Sequence, residues 1–481
     1  MRCVITVGIL ALLGSTPPLA AEEATSNAAI EQAPTIEARI AAAVAELERE
    51  GFSGFAAIAR PGEPIVLAQA GAADPATGRK YDLDTQFDIG SISKSMTGLA
   101  AAKLISEGKL DPQARLVDFF AEVPADKRGI TVHQLLTHTA GFGPAHGFDL
   151  QPMSRDEMLA EVLASKLLSE PGTTYAYSNM GFSLVAAIME KITGRSYEAY
   201  LVEEVLRPIG LTSTGYRLAY DPARADSSER YGPVAKASWG DLVEPSWALV
   251  GNGGLVSSAR DLLTLGQVIA NKALEPEIAR IWTTQRVDEG GGTRYGYGIG
   301  WQNIDGLGDI YWHNGGNPAF QTEWWTLVDS GMTILVHRNG GPLSLAQALG
   351  PVLSAATGKE LAFADGSPNV DLTPGDDLPD DPPGNLARGF LTAISGTKDD
   401  WSAFVQSRMS AKLLAQMPLE EHVAQYPMLH DEIASRKISG FGFKDGEIHL
   451  NLVSEEYPPM MLVLFYEEDA GQPQLNGIGI M

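Results

Sequence analysis

Strand-like segments stand at both ends of a long stretch of this chain, and a helical block separates them. Residues 54–60 and 65–70 read as a β-hairpin turning at Pro61-Gly62. Strand-like runs return only at 296–303, 309–313, 320–328 and 332–337. From Leu110 to Asn271 the pattern is mostly helical, with pieces at 132–136, 155–168, 180–193 and 259–270. This order predicts one antiparallel sheet sewn from both ends, with the helical block against it and a cleft where the two meet. Residues 35–50 read as a helix with Ile36, Ile40, Val44 and Leu47 on one stripe and Gly51 at its end. Residues 343–357 read as a closing helix.

Within that frame, residues 87–98 read Phe-Asp-Ile-Gly-Ser-Ile-Ser-Lys-Ser-Met-Thr-Gly. They set Ser91 and Lys94 three residues apart at the mouth of a helix running through Leu99 and Leu104 to Gly108. Positions i and i+3 share a helix face. A lysine amine one turn from a hydroxyl can take its proton. The helix N-terminus adds backbone N–H groups and the positive end of the macrodipole, a place for an oxyanion. Ser-x-x-Lys recurs at Ser106/Lys109 and Ser395/Lys398, but both copies contain a glycine and read as helix ends.

Tyr177-Ser178-Asn179 follows the turn signal Glu170-Pro171-Gly172 and precedes a helical pattern near Met180. In an extended segment a phenol and a carboxamide two positions apart point the same way. Asn179 could equally cap the helix that follows. A third pattern, His or Lys with Gly two places on, occurs at Lys127-Arg128-Gly129, His313-Asn314-Gly315 and Lys444-Asp445-Gly446. The first lies in a loop and the last in a hairpin turn. His313 ends a strand-like run, and Gly315 and Gly316 would let a substrate lie against the strand backbone.

A chain of 481 residues suggests two domains. Residues 361–385 are rich in Asp and Pro and read as an acidic, stiff linker. Beyond it, residues 386–481 alternate as helices at 386–394, 401–409 and 419–435, then strands at 438–443, 447–453 and 460–466. That predicts a small α+β accessory domain. His422, His430 and His449 are too dispersed there to argue a site, and Trp401 falls where a helix would pack. The formal charge of −25 argues against nucleic acid or an anionic membrane as partner. Residues 1–21, with Arg2, an apolar run from Val4 to Leu13 and small residues to Ala21, read as a secretory signal peptide, so a periplasmic or secreted location is expected. The only cysteine is Cys3, which excludes a thiol nucleophile and a disulfide framework from the mature chain. No spacing suggests a metal site or a cofactor, and no stretch of the mature chain is long and apolar enough to span a membrane.

The order Ser91/Lys94, Tyr177/Asn179, His313/Gly315 resembles the penicillin-recognising serine hydrolases, in particular the class C β-lactamase-like branch. The likeness spans residues 35–360 and extends to Ile130-Thr-Val-His-Gln-Leu-Leu-Thr-His-Thr-Ala-Gly, to Pro171-Gly-Thr-Thr-Tyr-Ala-Tyr-Ser-Asn, to Gly253-Gly-Leu-Val-Ser-Ser-Ala-Arg-Asp-Leu and to Tyr295-Gly-Tyr-Gly. It implies a serine β-lactamase/DD-peptidase fold of the α/β (α+β) class: an antiparallel sheet flanked by helices plus an all-helical subdomain. It also implies an acyl-enzyme on Ser91, acid–base work shared by Lys94 and Tyr177, and a Lys94 cation that lowers the phenol's pKa. Asn179 and His313 would face the substrate, and the N–H groups of Ser91 and Gly316, beside Gly315, would hold the oxyanion. His138 and Gly141 would shape a loop near the site. The substrate implied is a small molecule or peptide with an ester or amide bond, as for a D-amino-acid peptidase, DD-peptidase or esterase. True β-lactamases of this branch carry Lys-Thr-Gly where this chain has His313-Asn314-Gly315, which moves weight away from antibiotic hydrolysis. A class C-like β-lactamase and a non-catalytic binder of cell-wall peptides are the alternatives.

Overall fold

The computed structural model describes residues 34–480 apart from 145–149, 241, 243, 342, 360, 362–371, 417–418, 445, 455–459 and 470. The expected signal peptide and residues 362–371 of the expected linker lie outside the described residues.

Helix α1, Ile36–Arg49, forms where predicted, with Ile36, Ile40, Val44 and Leu47 buried on its inner stripe. Burial of such side chains stabilises by about 1.5–3 kcal/mol each, enough to pin a helix of this length to its sheet. Strands β1 (Ser53–Ala59) and β2 (Val66–Ala70) make the hairpin. A short strand β3, Gln86–Asp88, leads into a single 3₁₀ turn, Gly90–Ile92, and then helix α2, Ser93–Ser106. The α-helix therefore starts after Ser91 rather than at it. Helix α2 is buried nearly all round, as a helix through the middle of a domain must be.

The helical block contains α3 (Val132–Leu136), α4 (Arg155–Ala164) and α5 (Asn179–Thr193). Thr131 and Ser154 each begin a capping box. Helix α4 stops at Ala164, short of Leu168. Strand β4, Val256–Ser258, pairs with β3, and α6, Ala259–Ala270, follows with the Ser258 side chain as its cap. Then come β5 (Val287–Gly290), β6 (Thr293–Tyr295), β7 (Gly300–Ile304), β8 (Gly308–Gly316), β9 (Gln321–Leu327) and β10 (Met332–Gly340). They close with the N-terminal hairpin into an eight-stranded antiparallel sheet of order β2-β1-β10-β9-β8-β7-β6-β5. The two ends of the chain meet where β1 pairs with β10, as the strand distribution predicts. Helix α7, Leu345–Thr357, packs with α1 on one face around Ile334, Val336 and Trp325. On the other side a larger core joins α2, α5 and α6 to Phe55, Phe87 and Trp324.

Beyond residue 371, α8 (Pro382–Ser395), α9 (Lys398–Arg408), α10 (Leu419–Ala424) and α11 (Tyr426–Ile433) precede β11 (Lys437–Lys444), β12 (Glu447–Val453), β13 (Met460–Asp469) and β14 (Gln472–Ile480). Asp381 caps α8 and Pro382 opens it, so the helix starts inside the stretch read as linker. Trp401 is fully buried between Phe390 and Phe404, and its indole N–H donates to the His422 carbonyl. β14 pairs with β13 and is a strand the sequence pattern did not mark.

Candidate active site

Ser91 sits in the middle of the 3₁₀ turn, and Lys94 is the second residue of α2. The Lys94 Nζ donates to Ser91 Oγ at 3.0 Å and to the Asn252 carbonyl at 2.8 Å. Lys94 is completely buried. An ammonium there must be satisfied by acceptors and π faces. It lies 4.8 Å from the Tyr177 ring centroid and 5.9 Å from that of Phe182. The Asn252 side chain is itself fixed, donating to Ser183 Oγ and the Ala248 carbonyl. Asn252 has no place in the sequence motifs, because its contact to Lys94 is made by a backbone carbonyl that any residue could supply. The Asn-Gly-Gly turn at 252–254 was the signal available.

Tyr177 precedes α5. Its hydroxyl reaches Ser91. Burial pushes the phenol's pKa up, and the Ser91 contact only partly opposes this. The expected lowering by Lys94 is not what results: the ammonium lies over the ring face rather than at the oxygen. Beneath the ring lies His138, with centroids 4.3 Å apart. Its backbone is in the left-handed region at φ 57°, and its Nδ1 accepts the Ser178 N–H at 3.0 Å. The accepting Nδ1 puts the proton on Nε2. Burial, then the Lys94 charge, holds this imidazole's pKa well below 6.5. His138 thus shapes the Tyr177 segment, as its loop position suggested.

Asn179 is the first residue of α5 and makes no cap; Ser178 occupies the cap position. The Asn179 Oδ1 is buried without a hydrogen-bond partner in the protein. It is an acceptor held next to the Tyr177 side of the site.

His313 lies on β8, 3% exposed. Its Nδ1 is 2.6 Å from the Asn314 carbonyl, and its Nε2 is 2.8 Å from the Tyr295 hydroxyl. A carbonyl can only accept, so Nδ1 carries the proton and Nε2 accepts from Tyr295. Burial, and secondarily the Lys94 charge, lowers the His313 pKa from 6.5 to about 3. The histidine expected to be partly charged and to face a substrate is neutral, and both its nitrogens are engaged.

Strand β7 pairs with β8 only as far as Trp312, while β9 pairs with it through Gly316. One edge of residues 313–316 is therefore free of strand partners. The turn carrying Ser91 lies against this end of β8 in backbone contact. A Cβ on Gly315 would stand 2.0 Å from the Ile89 carbonyl oxygen and 2.6 Å from the Ser91 nitrogen. The structure thus gathers Ser91, Lys94, Tyr177, His313, Gly315 and Gly316 around one spot, with Asn179 two residues on from Tyr177. The other Ser-x-x-Lys copies fall at helix ends, Ser106 closing α2 and Ser395 closing α8. Among the described residues no cluster of His, Cys, Asp and Glu could hold a metal ion, and no helix is long and apolar enough to cross a membrane.

The family profile described as Beta-lactamase matches residues 36–356. The chain is 28% identical over 294 residues to Esterase EstB of Burkholderia gladioli, covering 53% of this chain and 74% of that one. It is 27% identical over 223 residues to the D-alanyl-D-alanine-carboxypeptidase/endopeptidase AmpH of Escherichia coli (strain K12), covering 44% of this chain and 56% of AmpH. In fold it is similar to the octameric penicillin-binding protein homologue from Pyrococcus abyssi, with a TM-score of 0.56 at 19% identity, over 92% of this chain and 94% of that one.

Proposed function

The chain belongs to the beta-lactamase family and is a serine hydrolase, and from that premise we propose that Ser91 is its nucleophile, cleaving an ester or amide bond through an acyl-enzyme. The contact of Lys94 Nζ with Ser91 Oγ at 3.0 Å carries this reading. In the reacting form Lys94 is the neutral amine: Ser91 Oγ attacks the substrate carbonyl carbon and gives its proton to the Lys94 amine, beside the neutral Tyr177 hydroxyl. The developing oxyanion is held by the N–H groups of Ser91 and Gly316. The Lys94–Tyr177 pair returns a proton to the leaving group. Water then takes the leaving group's place and releases the acid by the reverse sequence. Asn179 Oδ1, an acceptor with no partner in the protein, accepts from the substrate.

The substrate is of the esterase or D-amino-acid peptidase type rather than a β-lactam. A fixed cation in the third motif suits a carboxylate on the substrate, and His313 is neutral and enclosed. The segment 1–21 exports the protein, and residues 386–481 form an accessory domain appended to the hydrolase. The likeness of fold to the Pyrococcus abyssi homologue over 92% of the chain supports that arrangement.

Labelling with a fluorophosphonate, with mass spectrometry locating the adduct, tests the nucleophile. Turnover of p-nitrophenyl acetate, D-alanine p-nitroanilide and nitrocefin, each against Ser91→Ala, tests the substrate class. The adduct is expected on Ser91, with ester or anilide turnover exceeding nitrocefin turnover. An adduct elsewhere, or Ser91→Ala as active as wild type, would sink the assignment; fast nitrocefin hydrolysis would make the protein a β-lactamase instead.

A further inference from the structure

The oxyanion site proposed above joins two backbone segments that are far apart in sequence, and the residues at the joint are glycines. Gly90 precedes the nucleophile; Gly315 and Gly316 end β8. A Cβ on Gly90 would lie 2.1 Å from the Gly316 nitrogen, so the two backbones touch with no side chain between them. Interlocking side chains, the usual means of fixing two packed segments, are absent at this contact. Something beside the joint must hold its spacing.

Asp88 stands there. It is the last residue of β3 and 2% exposed. Its Oδ1 accepts the Gly90 N–H at 2.6 Å, on the nucleophile side. Its Oδ2 accepts from Asn317 Nδ2 at 3.0 Å, on the side of the residue that follows Gly316. Asn317 is anchored in turn. Its Oδ1 accepts the N–H groups of Ala319 and Phe320 at 2.8 and 2.9 Å, and its Nδ2 also lies 3.3 Å from Ser238 Oγ. One buried carboxylate thus bonds the residue before Ser91 and the residue after Gly316. Hydrogen bonds to a charged acceptor in a buried site are among the stronger ones.

We propose that Asp88 is a positioning residue: with Asn317 it sets the separation of the Ser91 and Gly316 N–H groups and so the geometry of the oxyanion hole. This rests on the oxyanion role assigned to those two groups above. Asp88 reaches no substrate. It acts through the two donors, which must stand at hydrogen-bond distance from where the oxyanion forms. A buried carboxylate that merely tightened the 3₁₀ turn would need only Gly90; the bond to Asn317 ties the turn to β8.

The test is a polarity swap. Asp88→Asn keeps an oxygen for Gly90 but sets an amide N–H against the Asn317 amide. Asn317→Asp sets two carboxylates against each other, and Asn317→Ala removes the bond from the more accessible side, in case an Asp88 variant fails to fold. The double variant Asp88→Asn/Asn317→Asp restores one donor facing one acceptor. The readouts are kcat and KM for p-nitrophenyl acetate and the rate constant of fluorophosphonate labelling. Each single variant is expected to lose about tenfold or more in kcat and labelling rate, with KM within about twofold, because a misplaced donor weakens the transition state more than the ground state. The double variant is expected to recover most of the loss. Single variants with wild-type kcat, or a double variant whose losses multiply, would overturn the brace. Ser91→Ala is measured alongside. If it remains active, the acyl-enzyme reading itself fails; if it is inactive while the Asp88 and Asn317 variants are undisturbed, the brace alone fails.

Discussion

The His313 imidazole and the Tyr295 hydroxyl meet at 2.8 Å inside the protein, where burial, and secondarily the Lys94 charge, keeps the imidazole neutral. Tyr295 also packs against His138, which stacks on Tyr177. The two imidazoles and the two phenols form one connected aromatic cluster, with the Lys94 ammonium 4.8 Å from the Tyr177 ring centroid. That charge disfavours a proton on either imidazole.

Acid should therefore destabilise the protein in a definite window. The folded His313 pKa is about 3, against 6.5 for an exposed imidazole. Between these values the unfolded chain binds the proton and the folded one does not, so stability falls as pH drops below 6.5 and levels off near 3. His138 acts in the same direction. Each group adds at most about 1.4 kcal/mol per pH unit to the slope. Urea unfolding at a series of pH values from 7.5 to about 4 should show this decline, and His313→Asn should flatten it by up to one proton. Equal slopes for the two proteins would contradict the neutral, enclosed His313.

Much of this was legible in the sequence, for physical reasons that differ by element. Helix α3 and helix α6 fall where the pattern put them, because Thr131 and Ser258 are good caps placed ahead of periodic apolar residues. The pairing of β1 with β10 follows from where the strand-like runs lie. Ser91, Lys94, Tyr177 and His313 were marked by residue type and order. What stayed hidden depends on contacts across the fold. The Asn252 carbonyl carries no side-chain signature. Asp88 meets Asn317 across 229 residues of chain. The state of His313 and the upward shift of the Tyr177 pKa are set by burial, which a local motif does not encode. The 3₁₀ turn at Gly90–Ile92 was read as the helix start because its residues continue the same run.

Lys94→Met should separate function from stability. The lysine is fully buried, its ammonium bonded to Ser91 and the Asn252 carbonyl. Methionine matches the stem's shape and removes the buried charge, a change that is often neutral or stabilising in a packed interior. Turnover should fall by about a thousandfold or more, since the proton acceptor beside Ser91 is gone. Thermal unfolding should stay within a few degrees of wild type or rise. A variant that keeps more than a tenth of wild-type kcat would remove Lys94 from the chemistry.

Tyr177→Phe probes the hydroxyl alone. The ring's packing on His138 and its face toward Lys94 survive in phenylalanine. Only the contact to Ser91 is lost. Loss of a proton-transfer group of this kind costs about 10²–10⁴ in rate. We expect kcat to fall in that range with little change in the melting temperature. A wild-type kcat in this variant would leave Lys94 as the sole proton carrier.

Gly315→Ala and Gly316→Ala, one residue apart, should behave very differently. A methyl on Gly315 would meet the Ile89 carbonyl oxygen at 2.0 Å and the Ser91 nitrogen at 2.6 Å. Both are backbone atoms of the nucleophile turn, so the turn must move away from β8. A methyl on Gly316 would meet the Phe320 carbonyl at 3.1 Å and the flexible Gln321 Cγ at 3.2 Å, which a shift of a few tenths of an ångström can relieve. Overpacking of the first kind costs about 1–3 kcal/mol, and it falls directly on the spacing of the two oxyanion donors. Gly315→Ala should thus lose about a hundredfold or more in fluorophosphonate labelling rate together with several degrees of melting temperature, while Gly316→Ala should keep its stability and most of its labelling rate. Labelling time courses and thermal unfolding of the two variants side by side provide the measurement. Equal tolerance at both positions would mean that the nucleophile turn does not depend on its backbone contact with β8.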